Sequence, residues 1–194
     1  MNNLAVLLLQ SHQLQQAQQL LQEAVPHHQA ALEASPQNAA YRLGFRNNRA
    51  NLTLTLLRIG DYDRGAETAE QLAQMAVDPA NDLYKASYFM AACSERAEHD
   101  PKRPHAERNK LAQEYENRAM ALLRRAVASG FKDLAQIRKL TPLLRRDDCK
   151  KMLGEIESNS GRERGSAGPK SEVSHVALAE REWAAVGQHQ GDNP

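Results

Sequence analysis

Hydrophobic residues recur at spacings of three and four along most of the chain. In the first 24 residues they form two such series, namely Leu4, Leu7 and Leu8, and then Leu14, Ala17, Leu20, Leu21 and Ala24. This spacing places apolar side chains on one face of an α-helix. Comparable series continue to about residue 157, so the pattern predicts an all-α fold built of consecutive helices.

Turn-forming residues divide this region into separate helices. Ser35-Pro36 and Asp78-Pro79 each join an N-cap residue to a proline suited to the first helical position. We therefore expect helices over about 36–59 and 79–98. The Gly60-Asp61 pair should end the first of these.

Further breaks predict the remaining helices. A helix should follow Gly60-Asp61 and end near Ala76, and two prolines predict a loop at 99–104. The next helix should end at Ser129-Gly130, because glycine suits a left-handed C-terminal cap. Two shorter helices are expected at about 132–140 and 147–157.

The amino-acid composition of the chain changes at Ser158. The segment that follows is rich in serine, glycine and charge, and it contains too little apolar surface to offset the entropy lost on ordering. The sequence thus predicts a folded domain over 1–157 and a disordered polar tail over 158–194. A transient helix around Trp183 is an alternative for part of that tail.

Composition agrees with a helical fold. Aromatic residues are 5% of the 194, whereas sandwiches and barrels favour aromatic and β-branched residues. No apolar run reaches the roughly 18 residues of a membrane span. The apolar opening lacks a basic start and a cleavage site, so it predicts a helix rather than a signal peptide. We expect a cytoplasmic protein, unless a longer chain anchors it to a membrane.

Residues that could carry chemistry do not form a recognisable site. Cys93 and Cys149 lack C-x-x-C spacing, so two buried or inert thiols are expected, with a disulfide as the alternative. Adjacent His27 and His28 would point about 100° apart on a helix and so would not share a metal ion. Phosphate-binding loops and kinase catalytic motifs are absent from the sequence. We expect a non-enzymatic protein without a cofactor or metal.

An approximate internal repeat links the start of the chain to its middle. At a spacing of 48 residues, Asn3-Leu4 matches Asn51-Leu52, Leu8-Leu9 matches Leu56-Leu57, and Ala17 matches Gly65. Each set predicts a helix, a tight turn at His12 or Gly60, and a second helix with a small residue near its start. Small residues at that point let the two helices of a hairpin approach closely.

Residues 46–77 resemble a tetratricopeptide repeat, on the strength of Asn51-Leu52, Leu56-Leu57, Gly60-Asp61-Tyr62-Asp63 and Gly65. Residues 1–24 form a weaker copy. A third copy begins at Tyr88 and carries Ala119, Leu123 and Ala126 in its second helix. The resemblance implies an antiparallel helical-hairpin solenoid of about three irregular repeats with C-terminal capping helices.

Three segments of the C-terminal half are similar to the tetratricopeptide region of planctomycete-type bacterial serine/threonine protein kinases. They are Tyr-x-x-Ala-x-Cys at 88–93, the run from Ala119 to Asp133, and the run from Leu140 to Asp148. Cys149 stands where that family often has an aromatic residue. The resemblance covers about residues 1–157 and implies a docking or regulatory region associated with a kinase, not a kinase.

The same resemblance implies a protein or peptide partner. By analogy with the family, one set of side chains would face a concave groove: Asn47, Ala50, Leu54, Leu57 and Arg58. Leu54 and Leu57 could equally belong to the core. We expect a scaffold that binds other proteins through this groove.

Charge is distributed unevenly, although the formal total is only +1. Residues 102–151 hold 14 basic and 6 acidic side chains, against 7 and 11 in residues 1–101 and 4 and 7 in residues 152–194. A basic face is predicted from Arg124, Arg125, Arg138, Lys139, Arg145 and Arg146. It suggests the alternative of a helical protein that binds nucleic acid or another polyanion. Nucleic acid is disfavoured because aromatic residues for base stacking are not interleaved.

The predicted first helix carries few polar residues on its outer face. Met1 falls about three residues inside the first repeat, and Leu4, Leu7 and Leu8 open the array. Terminal repeats of solenoids usually carry a polar outer face. We therefore expect either a fragment of a longer array or self-association through this helix.

Overall fold

A computed structural model describes residues 2–164 of the chain, with the side chains of residues 3–158. Within that range the regular structure is entirely α-helical. The helices are α1 (Asn2–Gln10), α2 (Leu14–Ala34), α3 (Ala39–Ile59), α4 (Tyr62–Gln74), α5 (Pro79–Glu98), α6 (His105–Ala128), α7 (Leu134–Ile137), α8 (Thr141–Leu144) and α9 (Asp147–Arg164). The all-α prediction is confirmed for this part of the chain.

The chain divides into two units, Met1–Ile156 and Glu157–Pro194. The first contains all the side chains discussed below. Helix α9 continues to Arg164, past the end predicted at residue 157. The remainder of the predicted tail, with Trp183, lies outside the described residues.

Most predicted helix boundaries agree with the structure. Asp78 caps α5 with its side chain, and Pro79 is the first helical residue. Helix α6 ends at Ala128, and Gly130 adopts the expected positive φ of 104°. These boundaries were predictable because each depends on a local backbone requirement.

The predicted start of α3 was wrong. Ser35 is the C-cap of α2, and the N-cap of α3 is Asn38, whose Oδ1 accepts hydrogen bonds from the amides of Ala40 and Tyr41 at 2.9 and 3.2 Å. Both Ser35 and Asn38 are residue types that favour caps. The sequence pattern could not decide between them, because α2 continues as far as Ala34.

The turns that end α1 and α3 have the same geometry at the predicted spacing of 48 residues. His12 and Gly60 both have positive φ, 58° and 91°. The next amide in each turn reaches back to a helix carbonyl, from Gln13 to Leu8 at 2.8 Å and from Asp61 to Leu56 at 2.9 Å. This six-to-one bond with a left-handed residue is a Schellman-type C-terminus.

Each of the first five helices contacts the next along the chain, and α3 also contacts both α1 and α5. Two arginines connect these alternate helices. Arg58 donates to the carbonyl of Leu9 at 3.3 Å, and Arg96 donates through Nε to the carbonyl of Leu57 at 3.1 Å. Near the C-terminal side, α8 contacts α5 and α6.

The interior is made mostly of leucine, alanine and methionine. Its largest fully buried side chains include Phe89, Leu56, Leu72, Met120 and Leu143. Cys93 and Cys149 are buried free thiols, as predicted. Burial raises the pKa of Cys93 to about 12, so this thiol stays protonated at neutral pH.

One buried ion pair connects α3 to the start of α5. The fully buried carboxylate of Asp82 pairs with Arg46 and accepts hydrogen bonds from the amides of Val77 and Asp78 at 2.9 and 3.0 Å. These amides precede α5, so the carboxylate closes the loop that connects α4 to α5. Removal of either charge would leave the other uncompensated in the interior.

Candidate interaction sites

The five residues predicted to face a groove are largely enclosed. Ala50, Leu54 and Leu57 are buried, with relative exposures of 6%, 9% and 3%. Asn47 and Arg58 are half-buried and engaged within the chain. Asn47 accepts a hydrogen bond from Arg46 at 2.8 Å, and Arg58 holds the carbonyl of Leu9.

The position of α3 explains this enclosure. The helix lies in contact with α1, α2, α4 and α5, so most of its circumference faces other helices. Leu54 and Leu57 therefore contribute to the core, which was one of the two interpretations of their spacing. Arg58 has a structural contact that the sequence did not reveal.

The predicted basic residues are mostly exposed, but several have acidic partners. Arg124 pairs with Asp148 at 2.7 Å, and Arg145 pairs with Glu98 at 3.2 Å. Arg146 contacts Asp148 at 3.0 Å, and it also lies 4.0 Å from Glu116. Arg125, Arg138 and Lys139 are exposed as well.

These ion pairs reduce the positive charge available to a ligand. Each carboxylate that pairs with an arginine offsets its field, and exposed pairs of this kind add little to stability. A phosphate would have to compete with the carboxylates for the same donors. The structure thus offers a less basic surface than the count of 14 basic residues in 102–151 suggests.

Helix α1 exposes leucines on its outer side. Leu4 and Leu7 are 53% and 59% exposed, whereas Ala5 and Leu9 on the same helix are buried. Leu8 is half-buried. The inner side of α1 packs against α2 and α3, so the exposed leucines form an apolar surface that no described residue covers.

A recess of about 360 Å³ lies between α2, α3 and α4. Its lining residues are Gln22, Val25, Pro26, Arg49, Leu52, Leu56, Arg64, Glu67, Thr68 and Gln71. Val25 and Pro26 of α2 and the buried Leu52 and Leu56 of α3 contribute its apolar part, and side chains from all three helices contribute its polar part. The sequence pattern gave no prediction of this recess.

Arg49 is the most unusual polar residue of the recess. Its guanidinium lies over the ring of Phe45, 4.8 Å from the ring centroid, and its Nε is buried without a hydrogen-bond partner among the described residues. Burial lowers the pKa of Arg49, although an arginine remains protonated at neutral pH. No acidic side chain in the described part of the chain pairs with it.

The other polar groups of the recess are arranged differently. Arg64 pairs with Asp61 at 3.2 Å, and the hydroxyl of Thr68 donates to the carbonyl of Arg64 at 2.8 Å. Glu67 is exposed and makes no ion pair with another described residue. Pro26 lies inside α2 and cannot donate to the carbonyl of Gln22, four residues earlier.

Of the two histidines of α2, His28 makes a structural contact. His28 stacks on Phe45 with ring centroids 5.6 Å apart, and burial lowers the pKa of His28. Neighbouring His27 is exposed. Over residues 2–164, no three His, Cys, Asp or Glu side chains come together as a metal site would require.

None of the helices that the structure describes is both long and apolar enough to cross a membrane. Comparison with protein-family models, with curated proteins and with solved structures finds no match to this chain.

Proposed function

We propose that this protein is a non-catalytic protein–protein interaction module built of stacked helical hairpins, with a tetratricopeptide-like arrangement. The observation that carries the proposal is the exposed apolar surface of α1. Leu4 and Leu7 lie on the outer side of this helix, where they are free to contact another protein. Exposed apolar surface of this kind is typical of interaction sites.

The repeated hairpin geometry supports the same proposal. The turns at His12 and Gly60 are equivalent, and arginines bind carbonyls at equivalent positions, Leu9 and Leu57. Helical hairpins that stack in this way form extended binding surfaces. The similarity of residues 88–148 to a region attached to kinases favours a bacterial serine/threonine kinase pathway as the setting.

The proposal allows two kinds of partner at α1, a second copy of the chain or a different protein. Photo-crosslinking in the native cell can distinguish them. A photoreactive amino acid would replace Leu7, and the matched control would carry it at Ala121, an exposed position on α6. Adducts would be identified by mass spectrometry.

We expect discrete adducts from position 7 that do not form from position 121. An adduct of twice the chain mass would identify a second copy, and any other mass would identify a different protein. Equal labelling from the two positions, or no adduct from position 7, would contradict the proposal.

A further inference from the structure

The 48-residue repeat shows what kind of surface covers the position of an exposed α1 leucine elsewhere in the fold. It relates Leu4 to Leu52 on α3. Leu52 is 4% exposed because it packs with Ala5 and Leu21 of the preceding hairpin, α1–α2, whereas Leu4 is 53% exposed. The position that two helices cover in α3 is therefore open in α1. A helix with an apolar face is the kind of partner that fits it.

From this relationship we infer that α1 of one copy of the chain packs against α1 of a second copy, with Leu4 and Leu7 of the two copies in mutual contact. The inference rests on the proposed function, because it names the partner at the α1 surface. Two copies that meet through the same helix are related by a twofold axis, so the patch must be complementary to itself.

The α1 surface brings no like charges together when two copies meet. Residues 1–22 contain no Asp, Glu, Lys or Arg, although these four types make up 25% of the chain. A patch with one sign of charge would instead repel its own copy. The exposed Gln13, Gln15 and Gln16 of this stretch carry amides that both donate and accept hydrogen bonds. An amide can therefore pair with an amide of the other copy.

Other described surfaces of a second copy match α1 less well. The large exposed hydrophobic residues of the described part are Leu4, Leu7, Tyr41, Leu43 and Val77. None of them lies in the described parts of helices α4 to α9, where exposed arginines such as Arg124 and Arg145 occur. The exposed Arg42 separates Tyr41 from Leu43. Head-to-tail stacking would thus place leucine against charge, whereas α1 against α1 places leucine against leucine.

The size of α1 sets the strength expected of this contact. Its nine residues span about 14 Å. A stable interface of standard size buries about 800 Å² on each partner, and one short helix supplies less than that. We therefore expect a weak dimer with a dissociation constant in the micromolar range or above.

Sedimentation equilibrium of the full chain, at concentrations up to the millimolar range, tests the inference. We expect a monomer–dimer equilibrium. The double variant Leu4→Gln with Leu7→Gln should raise the dissociation constant at least about tenfold, because it removes apolar area from the contact. Leu43→Gln, at a leucine on α3 that is 47% exposed, is the matched control and should leave the constant unchanged.

Salt distinguishes an apolar contact from an ionic one. An increase from about 0.1 M to about 1 M shortens the screening length from about 10 Å to about 3 Å, which weakens exposed ion pairs. Burial of leucine is not weakened in this way, so the dissociation constant should not rise.

Chemical cross-linking locates the contact on the chain. A bismaleimide that spans the roughly 8–10 Å between packed helices should join two copies that carry Leu7→Cys. Ala121→Cys, at an exposed position on α6, is the control and should give no linked dimer. The native Cys93 and Cys149 are buried, so they do not compete for the reagent.

Several outcomes would overturn the inference. They are a monomer at every concentration, equal weakening by the double variant and by Leu43→Gln, a dimer that high salt dissociates, or equal cross-linking from positions 7 and 121. A monomeric chain that still gives an adduct with a different protein from position 7 in the cell would overturn the inference and leave the proposed function standing. The two proposals can therefore fail separately.

Discussion

The Nε group of Arg96 lies 3.1 Å from the carbonyl oxygen of Leu57, so α5 is bonded to the C-terminal end of α3. The Leu57 carbonyl also accepts a hydrogen bond from the amide of Gly60 at 3.2 Å, so Arg96 adds a second donor to an oxygen at the end of the helix. Arg58 makes the same kind of contact with Leu9, which the 48-residue spacing pairs with Leu57. Equivalent arginines thus connect α3 to α1 and α5 to α3.

Replacement of Arg96 tests the energetic value of this contact. Arg96→Ala should lower the free energy of unfolding by about 1–3 kcal/mol, because a half-buried charged donor and its carbonyl acceptors lose their bonds. Arg125→Ala, at an exposed position, should change it by less than about 0.5 kcal/mol. Urea denaturation monitored by circular dichroism measures both. Equal effects of the two substitutions would contradict a specific role for Arg96.

The turns at Gly60 and His12 both have positive φ, so loss of glycine at 60 and gain of glycine at 12 should have opposite effects on stability. Gly60 has a φ of 91°, and a Cβ placed on it would meet no atom within 4 Å, so Gly60→Ala should cost about 1–2 kcal/mol through backbone strain alone. His12 holds a φ of 58° with a side chain, so His12→Gly should stabilise the protein by up to about 1 kcal/mol. Urea unfolding midpoints give both values. Stabilisation by Gly60→Ala would contradict the expected backbone strain at this position.

Much of the fold could be predicted from local patterns. Apolar spacing predicted the helices, and Asp78-Pro79 and Gly130 predicted boundaries because their backbone requirements are specific. The start of α3 could not be predicted, since Ser35 and Asn38 are both suitable caps and the true end of α2 decides between them. Residues 33–43 are all exposed, so apolar spacing does not mark where α2 ends.

The candidate sites were harder to predict. The exposed leucines of α1 were foreseen, because Leu4 and Leu7 stand in a helical pattern with few polar residues around them. The recess was missed, because its residues come from three helices and Arg49 is one of many arginines. Pro26 inside a helical pattern was an available signal, since it leaves a carbonyl without its donor.

Gly65 lies where α4 approaches its neighbours. A Cβ built there would be 3.5 Å from atoms of Leu57 and 3.7 Å from Sγ of Cys93, which is ordinary contact. Gly65→Ala should therefore stabilise the protein by about 0.5–1 kcal/mol through helix propensity. Gly65→Leu should destabilise it, because the larger side chain has no space. Thermal or urea unfolding of both variants checks the sign, and destabilisation by alanine would show a tighter approach.

The hydroxyl of Tyr62 donates to Asp100 at 2.6 Å and connects α4 to the loop before α6. Burial, and then this hydrogen bond, raise the pKa of Tyr62 from 10.0 to about 12. Between these values the unfolded chain binds fewer protons than the folded chain, so stability should fall as the pH rises from 10 to 12. Tyr62→Phe should lose part of that dependence. An unchanged alkaline profile of unfolding midpoints would contradict the assignment.

The hydrogen bond between Tyr62 and Asp100 also predicts how stability changes at acid pH. The hydrogen bond from Tyr62 is the main cause that lowers the pKa of Asp100 below 3.8. This contribution to stability is present above the unfolded value and is lost as the pH falls through the folded value. Tyr62→Phe should therefore flatten the loss of stability below pH 4. Urea midpoints across that range measure it, with Tyr115→Phe as a control that leaves Asp100 bonded to Tyr62.

The paired arginines predict weak binding of nucleic acid. Arg124 and Arg146 both contact Asp148, and Arg145 contacts Glu98, so three of the six cations of the predicted basic face are already paired with carboxylates. We expect the binding of a short duplex to depend only weakly on salt. A plot of the logarithm of the binding constant against the logarithm of the salt concentration should have a slope shallower than about −2, as expected for two phosphate contacts or fewer. Fluorescence anisotropy of a labelled duplex measures the slope. Asp148→Asn releases two arginines and should strengthen binding at low salt. A steep slope for the unmodified chain that is abolished by loss of Arg124 and Arg145 would instead favour the polyanion-binding alternative.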